Sequence, residues 1–174
     1  MPQLFLAYSP NPSDSGRIHS NVKQRWLAGD TEIIEGMKYF GQIVDKAKTA
    51  LESENWDELK ELMNANFEQR RKLYTGKNHR LWSIAHIFFD IKFSKDHCLG
   101  GENLKMIAIA RQFEAAAKFS GSGGAIVGLL TDQSKKTKMK EMFNKNGFVY
   151  LGLCEIIFTF FTYKPRPDAK LSKN

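Results

Sequence analysis

The chain has 174 residues, of which 42% are hydrophobic and 26% are charged, and its formal net charge is +7. These values are ordinary for one soluble globular domain with a core of its own. The positive charge favours an anionic ligand or partner such as a nucleotide, a sugar acid or a nucleic acid, and it does not choose among them.

The cysteine content and the hydropathy indicate the expected cellular compartment and the kinds of partner. The two cysteines, Cys98 and Cys154, are far apart and form no CxxC motif, so a reducing cytoplasm is expected. The longest apolar segments, residues 81–93 and 156–161, are shorter than the ~20 residues that a membrane helix needs, so no membrane partner is expected. Lysine and arginine are scattered over predicted helices and the tail, which argues against a nucleic-acid partner.

The first predicted elements are a strand and a loop. Residues 3–8 form a short apolar run that predicts a strand. Residues 9–16 contain two prolines and a polar run, Ser13, Asp14 and Ser15, which predict a loop. Two interpretations stay open for this run: it orders around the hydroxyl groups of a ligand, or it is a flexible loop that caps the next helix.

Three helices are predicted next, over residues 17–28, from 31 to about 53, and 56–74. Asp30 or Thr31 caps the second helix and Asn55 caps the third. The apolar positions of the second helix, which recur close to every 3.6 residues, are Ile33, Ile34, Met37, Phe40, Gly41, Val44, Ala47 and Leu51.

Several interpretations stay open for residues 70–98. Arg70 and Arg71 lie near the end of the third helix. Either they interact with the negative end of the helix dipole and with solvent, or they bind an anion. Residues 79–94 are rich in aromatic and aliphatic side chains without a clean period, which fits a further helix, an added flap or a surface for a protein partner at 81–93. No metal site is predicted, because the histidines and cysteine of this region lack metal-binding spacing: His79, His86, His97 and Cys98.

The remaining pattern predicts an α+β fold. A helix over residues 103–113, a hairpin, a helix over 134–145 and a strand over 148–153 follow in order. An extension of this strand to Tyr163 after a bend stays open. With the first strand, this is the order of a ferredoxin-like split βαβ sheet with an enlarged helical crossover. We expect a four-stranded, mainly antiparallel sheet with helices over one face, and a disordered tail at 164–174.

The hairpin contains the candidate site. Between two apolar runs lies a turn of small residues, Gly121, Ser122, Gly123 and Gly124. Glycine allows positive φ and close approach to the backbone, and successive N–H groups in such a turn form a nest for an anion. The alternative is a plain hairpin whose glycines serve only the turn. Neither the Walker pattern nor the dinucleotide fingerprint is matched.

Several motifs in this order resemble the carboxy-terminal half of the glucuronokinases, which belong to the GHMP kinases. The motifs are residues 11–16 (NPSDSG), 24–27 (QRWL), 66–73 (NFEQRRKL), 98–100 (CLG) and 118–125 (KFSGSGGA). The likeness extends from the first strand to about Leu153, so a GHMP kinase C-terminal-like domain at 1–163 is expected. Residues 76–95 have no counterpart and are interpreted as an insertion. Glu114 stands where such chains often have glycine.

The resemblance implies an ATP-dependent kinase that phosphorylates the anomeric hydroxyl of glucuronate, with magnesium. It places Gly121–Gly124 beside the active-site cleft and Ser13–Ser15 near the sugar. Arg17, Arg25 or Arg70 would meet the carboxylate of the sugar acid, since a guanidinium binds carboxylates bidentately. The family's ATP loop, its magnesium-binding acid and any catalytic base belong to an amino-terminal domain.

The resemblance therefore assigns no catalytic residue and no metal ligand to this chain. We expect it to be inactive alone. A non-catalytic scaffold that keeps the fold, and a binder of nucleic acid, are the competing hypotheses.

Overall fold

The computed structural model describes residues 2–10, 16–75 and 99–152, with the backbone only for 16–20 and Thr75. A four-stranded sheet and five α-helices account for most of this part of the chain. The elements in chain order are β1 (Gln3–Tyr8), α1 (Gly16–Leu27), α2 (Thr31–Glu52), α3 (Trp56–Thr75), α4 (Gly101–Gln112), β2 (Ala116–Phe119), β3 (Ala125–Leu130), a 3₁₀ turn (Gln133–Lys135), α5 (Lys136–Lys145) and β4 (Val149–Gly152).

The sheet has the predicted topology. Its strand order is β2-β3-β1-β4, and each neighbouring pair is antiparallel. Helical crossovers separate β1 from β2 and β3 from β4, while β2 and β3 form a hairpin. This is the split βαβ arrangement, with three helices in addition to α4 in the described part of the first crossover. The predicted α+β class and ferredoxin-like sheet are confirmed.

The main core covers one face of the sheet. Side chains alternate between faces along a strand, so Phe5 and Ala7 share a face with Ile126 of β3. Phe5 is fully buried, and its ring stacks on Tyr150 at a centroid distance of 5.3 Å. Helices α4 and α5 cover this face with their buried residues, which include Met106, Ile107, Met139 and Phe143.

Helix α3 lies along the outer edge of β2. The amide oxygen Oδ1 of Asn64 accepts a hydrogen bond from the Ala117 backbone nitrogen at 3.4 Å, which satisfies one donor of the edge strand. Phe67 packs edge-on against Phe119 on the main-core face, while Met63 packs with Ala116 on the opposite face. The expectation of helices over one face therefore describes α4 and α5, whereas α3 spans the edge.

The buried side of α2 differs from the predicted one. Val44 and Leu51 are 61% and 54% exposed, so their assignment to the apolar side was wrong. The helix instead buries Ile33, Gly36, Ile43 and Ala50. A side chain at Gly36 would clash with Leu73 of α3, at 2.7 Å from its Cδ1 atom. The close approach of α3 therefore selects the buried side of α2, which hydrophobic periodicity alone does not reveal.

The predicted caps are confirmed. Asp30 Oδ1 accepts hydrogen bonds from the backbone nitrogens of Glu32 and Ile33, and Asn55 Oδ1 accepts one from Glu58. The predicted strand extension to Tyr163, the insertion at 76–95 and the tail at 164–174 lie outside the described residues. Within the ranges described, none of the helices is both long and apolar enough for a membrane span.

Candidate functional site

The glycine turn is the predicted site that the structure describes most completely. It joins β2 to β3 over residues 120–124, and the Ser120 backbone nitrogen closes it by donating to the Ala125 carbonyl at 3.2 Å. Gly123 and Gly124 have φ angles of +151° and +77°, which other residues rarely adopt. The predicted strand–turn–strand arrangement is therefore present, with positive φ at Gly123 and Gly124 but not at Gly121.

Two segments hold Gly124 from opposite sides. The buried Asn103, in the first turn of α4, accepts a hydrogen bond from the Gly124 nitrogen at Oδ1 (2.7 Å) and donates through Nδ2 to the Leu99 carbonyl (2.8 Å). The Ser9 nitrogen donates to the Gly124 carbonyl at 2.9 Å, just beyond the end of β1. Both polar groups of the Gly124 backbone are thus satisfied.

Arg70 holds the other half of the turn. Its Nη1 donates to the Gly121 carbonyl at 2.6 Å, and its Nη2 donates to the Ser122 carbonyl at 3.1 Å. The guanidinium carbon lies 5.1 Å from the centre of the Tyr74 ring and 5.2 Å from that of Phe119. These two rings fix the plane of the guanidinium through cation–π contact, so the carbonyl oxygens meet donors in a defined geometry.

The described residues leave the far side of the turn open. A side chain added at Gly121 would meet none of their atoms within 4 Å. The backbone nitrogens of Ser122 and Gly123 have no acceptor in the part of the chain that the structure describes. The turn therefore offers free donors on the side that Arg70 and Asn103 leave uncovered.

The charge around the turn is positive. Lys118 of β2 is half-buried and donates to the Phe119 carbonyl at 3.1 Å. Its pKa lies below the ordinary value, first because burial removes water and then because Arg70 repels its charge. Burial also lowers the pKa of Arg70. Neither cation has a carboxylate within ion-pair distance among the described residues. Such a pair of cations favours an anion nearby.

The substrate-side residues are described less completely. Ser13, Asp14 and Ser15 lie outside the described residues; the chain leaves β1 through Ser9, beside Gly124, and is described again from Gly16. Ser9 itself is buried and its hydroxyl donates to Glu102 Oε2 at 2.7 Å. Arg17 lies in the first turn of α1, where only the backbone is described.

The structure places Arg25 in a network that joins three helices. Its Nε donates to Asp30 at 2.7 Å, its Nη2 to Glu32 at 2.9 Å and its Nη1 to the Leu73 carbonyl at 3.3 Å. Arg25 is thus neutralised by the chain itself. A sugar carboxylate at Arg25 would have to compete with both of these carboxylates.

Sequence reasoning missed Asn103, Ser9 and Lys118 as parts of the turn. Asn103 was expected only as the first residue of a helix, and its bond to Gly124 joins residues that are 21 positions apart. The signal that was present is local: Asn103 is polar, yet it lies in a helix whose other buried residues are apolar. Lys118 was noted only as the first residue of the motif 118–125, and Ser9 only as part of the loop 9–16.

Metal ligands do not gather in the described ranges. No group of three or more His, Cys, Asp or Glu side chains there is arranged to hold an ion. The four residues weighed for metal binding, His79, His86, His97 and Cys98, all lie outside these ranges.

Comparison with curated proteins shows a clear relationship. The chain is 39% identical over 150 residues to "Probable glucuronokinase 2" of Arabidopsis thaliana, and 40% identical over 149 residues to "Glucuronokinase 1" of the same plant. The matches cover 86% and 85% of the chain, but only 36% of each relative. The chain thus spans about a third of the length of these proteins. No family model matches it.

Solved structures support the fold. An L. major mevalonate kinase in complex with R-mevalonate superposes with a TM-score of 0.60 and 16% identity, over 83% of this chain and 39% of that one. The Lin0012 protein from Listeria innocua gives a TM-score of 0.58 and 14% identity, over 87% and 38%. At these identities the likeness shows a shared fold.

Proposed function

The chain is a domain of the sugar-kinase family and a relative of the glucuronokinases, and from this premise we propose that it forms the carboxy-terminal, substrate-side part of a kinase that phosphorylates the anomeric hydroxyl of glucuronate. The observation that carries the proposal is the glycine turn, because among the described residues it combines an open side, free backbone donors and two cations without a carboxylate partner.

These features suit phosphoryl transfer. Such a reaction depends mainly on positioning the reactants and on stabilising the charge on the phosphate oxygens. Backbone N–H groups held in place before the ligand arrives supply this stabilisation without reorganisation. The turn Gly121–Gly124 would therefore lie beside the phosphate groups in the cleft, in agreement with the resemblance of residues 118–125 to the family motif.

The sugar side of the cleft would come from the neighbouring loop. Ser13, Asp14 and Ser15 are proposed to contact the hydroxyl groups of the sugar, because the chain enters this loop directly beside Gly124. Arg17 is the strongest of the three candidates for the sugar carboxylate. Arg25 already binds two carboxylates, and Arg70 already binds two carbonyl groups.

The cofactors that the family implies are ATP and magnesium. The free nitrogens of Ser122 and Gly123 fit a phosphate group of the nucleotide. The described residues do not fit a magnesium site, since no three of their His, Cys, Asp or Glu side chains are arranged to hold an ion. The family resemblance assigns magnesium and any catalytic base to the other part of the enzyme, and we derive no step through them. A cytoplasmic location is part of the same proposal.

Activity would require more than this chain. Since the matches cover 36% of each relative, most of the relatives' length lies outside the comparison. We propose that the 174 residues alone do not convert glucuronate and ATP to glucuronate 1-phosphate and ADP. A scaffold that keeps the fold but binds neither substrate is the alternative, and titration calorimetry with ATP and with glucuronate separates the two.

A chimera tests the proposal directly. Residues 2–152 of this chain would replace the matching segment of Arabidopsis glucuronokinase 1, and glucuronate 1-phosphate formation would be measured with and without magnesium. We expect activity in the chimera and none in the chain alone. A second chimera with Gly123→Val should lose activity, since the added side chain would meet Asn103 Nδ2 and distort the turn; its melting temperature shows whether the fold is kept. Activity of the chain alone, or a folded but inactive first chimera, would contradict the proposal.

A further inference from the structure

Arg70 controls the direction of two peptide groups in the glycine turn. The peptide that contains the Gly121 carbonyl also contains the Ser122 N–H, and the peptide that contains the Ser122 carbonyl also contains the Gly123 N–H. All peptide bonds of the described chain are trans. In a planar trans peptide the C=O and N–H groups point in opposite directions. Since both carbonyls accept hydrogen bonds from Arg70, both N–H groups point away from it.

Both N–H groups lack an acceptor among the described residues, as does the Gly121 N–H that precedes them. Neither the Ser122 nor the Gly123 nitrogen finds a partner among the described residues, whereas the next nitrogen, that of Gly124, is bound by Asn103. Two adjacent donors on one side of a turn form a nest that binds an anionic oxygen. The carbonyl groups, which would repel an anion, are turned to the opposite side.

The surroundings make Arg70 suited to this task. The guanidinium lies over both the Tyr74 and the Phe119 ring, and its Nε is buried without a partner among the described residues. A buried donor without a partner costs free energy, so packing rather than hydrogen bonding at Nε keeps the group in place. A lysine at this position would have the charge but could not hold two carbonyls in one plane.

We infer that Arg70 is a positioning residue, which turns the Gly121–Ser122 and Ser122–Gly123 peptides so that their N–H groups together bind one phosphate oxygen. This role differs from the carboxylate contact that the sequence suggested for Arg70. It rests on the proposed function only for the identity of the anion as a phosphate group. The orientation of the peptides is independent of that proposal.

The experiment compares three forms of the full chain by two-dimensional ¹H–¹⁵N NMR: wild type, Arg70→Lys and the control Arg71→Lys. Arg71 is the next residue of α3 and pairs with Glu68, so the control makes the same chemical change outside the turn. Inorganic pyrophosphate is the probe. Melting temperatures and the shift of the Gly124 amide show whether each variant keeps the fold.

In wild type, pyrophosphate should shift the Ser122 and Gly123 amide protons downfield more than any other described amide. In Arg70→Lys we expect about tenfold weaker binding, comparable to the loss of one hydrogen bond to a charged group, although the net charge is unchanged. Arg71→Lys should bind like wild type. Equal affinity in Arg70→Lys and wild type would overturn the inference, because charge alone would then suffice.

The ligand-free spectra separate this inference from the proposed function. If Arg70 orients the peptides, Arg70→Lys should change the amide shifts of residues 121–124 before any ligand is added, and Arg71→Lys should not. If wild type binds no pyrophosphate but this pattern is seen, the phosphate contact fails and the positioning role stands. Unchanged turn shifts in Arg70→Lys would overturn the positioning role itself.

Discussion

Two arginines connect α-helices to other segments of this protein, in opposite electrical surroundings. Arg25 lies at the corner between α1, α2 and α3, where Asp30 and Glu32 neutralise it. Arg70 lies at the glycine turn, where its partners are uncharged carbonyls and Lys118 is its charged neighbour. Residue type alone does not separate the two roles. The charge of the neighbouring groups separates them. An arginine that is paired with carboxylates stabilises the contact between helices, whereas an arginine without a carboxylate partner favours the binding of an anion.

The largest loss of folding stability is expected when Asn103, which binds both Gly124 and Leu99, is replaced. Asn103→Ala would leave the Gly124 N–H and the Leu99 carbonyl without their partner, and each buried unsatisfied group costs about 1–3 kcal/mol. Urea denaturation should show a loss of stability in this range or above it. The exposed Asn144→Ala is the control, with little expected change. A loss below ~0.5 kcal/mol would mean that water replaces Asn103 at the turn.

A smaller effect is expected from the backbone of the turn. Gly124→Ala forces a side chain into a left-handed conformation, which costs about 1–2 kcal/mol. Gly121→Ala is the matched control, because no atom of the described residues lies within 4 Å of its added side chain. Thermal unfolding of the two variants should differ accordingly. Equal melting temperatures would show that the turn adjusts freely, in conflict with a turn fixed by Arg70 and Asn103.

The stability that the Arg25–Asp30 pair gives to the folded chain should decrease at low pH. The hydrogen bond from Arg25 holds the pKa of Asp30 below its ordinary value of 3.8. The ionised, paired form is thus favoured in the folded chain, and its stabilisation is present above that value and lost as the pH falls through the lowered pKa. In Arg25→Met the melting temperature should therefore decrease less steeply below about pH 4 than it does in wild type.

The control for the acid experiment is Lys38→Met, which removes an exposed ion pair with Glu35 on α2. Its acid dependence should match that of wild type. The same steep fall in Arg25→Met as in wild type would assign the acid sensitivity to other carboxylates, and the contrast between the two arginines would weaken.

The smallest effect concerns Glu114, which precedes β2 in a left-handed conformation with φ of +58°. The family resemblance implies that glycine is frequent here, and glycine adopts this conformation without strain. Glu114→Gly should raise the melting temperature slightly if relief of strain outweighs the lost ion pair with Lys135 at 2.8 Å. Glu114→Gln, which removes only the ion pair, measures that loss separately. A lower melting temperature in Glu114→Gly than in Glu114→Gln would contradict the strain.

The sequence predicted the features that local chemistry determines. The caps at Asp30 and Asn55 and the glycine hairpin were found because each depends on residues a few positions apart. The buried side of α2 was not, because Gly36 and the helix that approaches it decide which residues are covered. Contacts made by packing leave no local pattern.

The candidate site shows the same division. The turn was predicted from its own glycines, but the residue that orients it is 51 positions away in the sequence. Arg70 was recognised as a candidate for binding an anion, and only the fold shows that its two donors meet carbonyl groups. Charge and spacing therefore locate the site, while its internal geometry needs the structure.

Hydrogen exchange at three consecutive amides tests the central claim most directly. In the ligand-free chain, Gly124 should exchange slowly because Asn103 accepts its proton, while Ser122 and Gly123 should exchange at nearly the rate of an unstructured peptide. Saturating pyrophosphate should slow the exchange of Ser122 and Gly123 and leave Gly124 unchanged. Protection of all three amides without ligand, or no change at Ser122 and Gly123 with it, would contradict a turn that presents two free donors to a phosphate group.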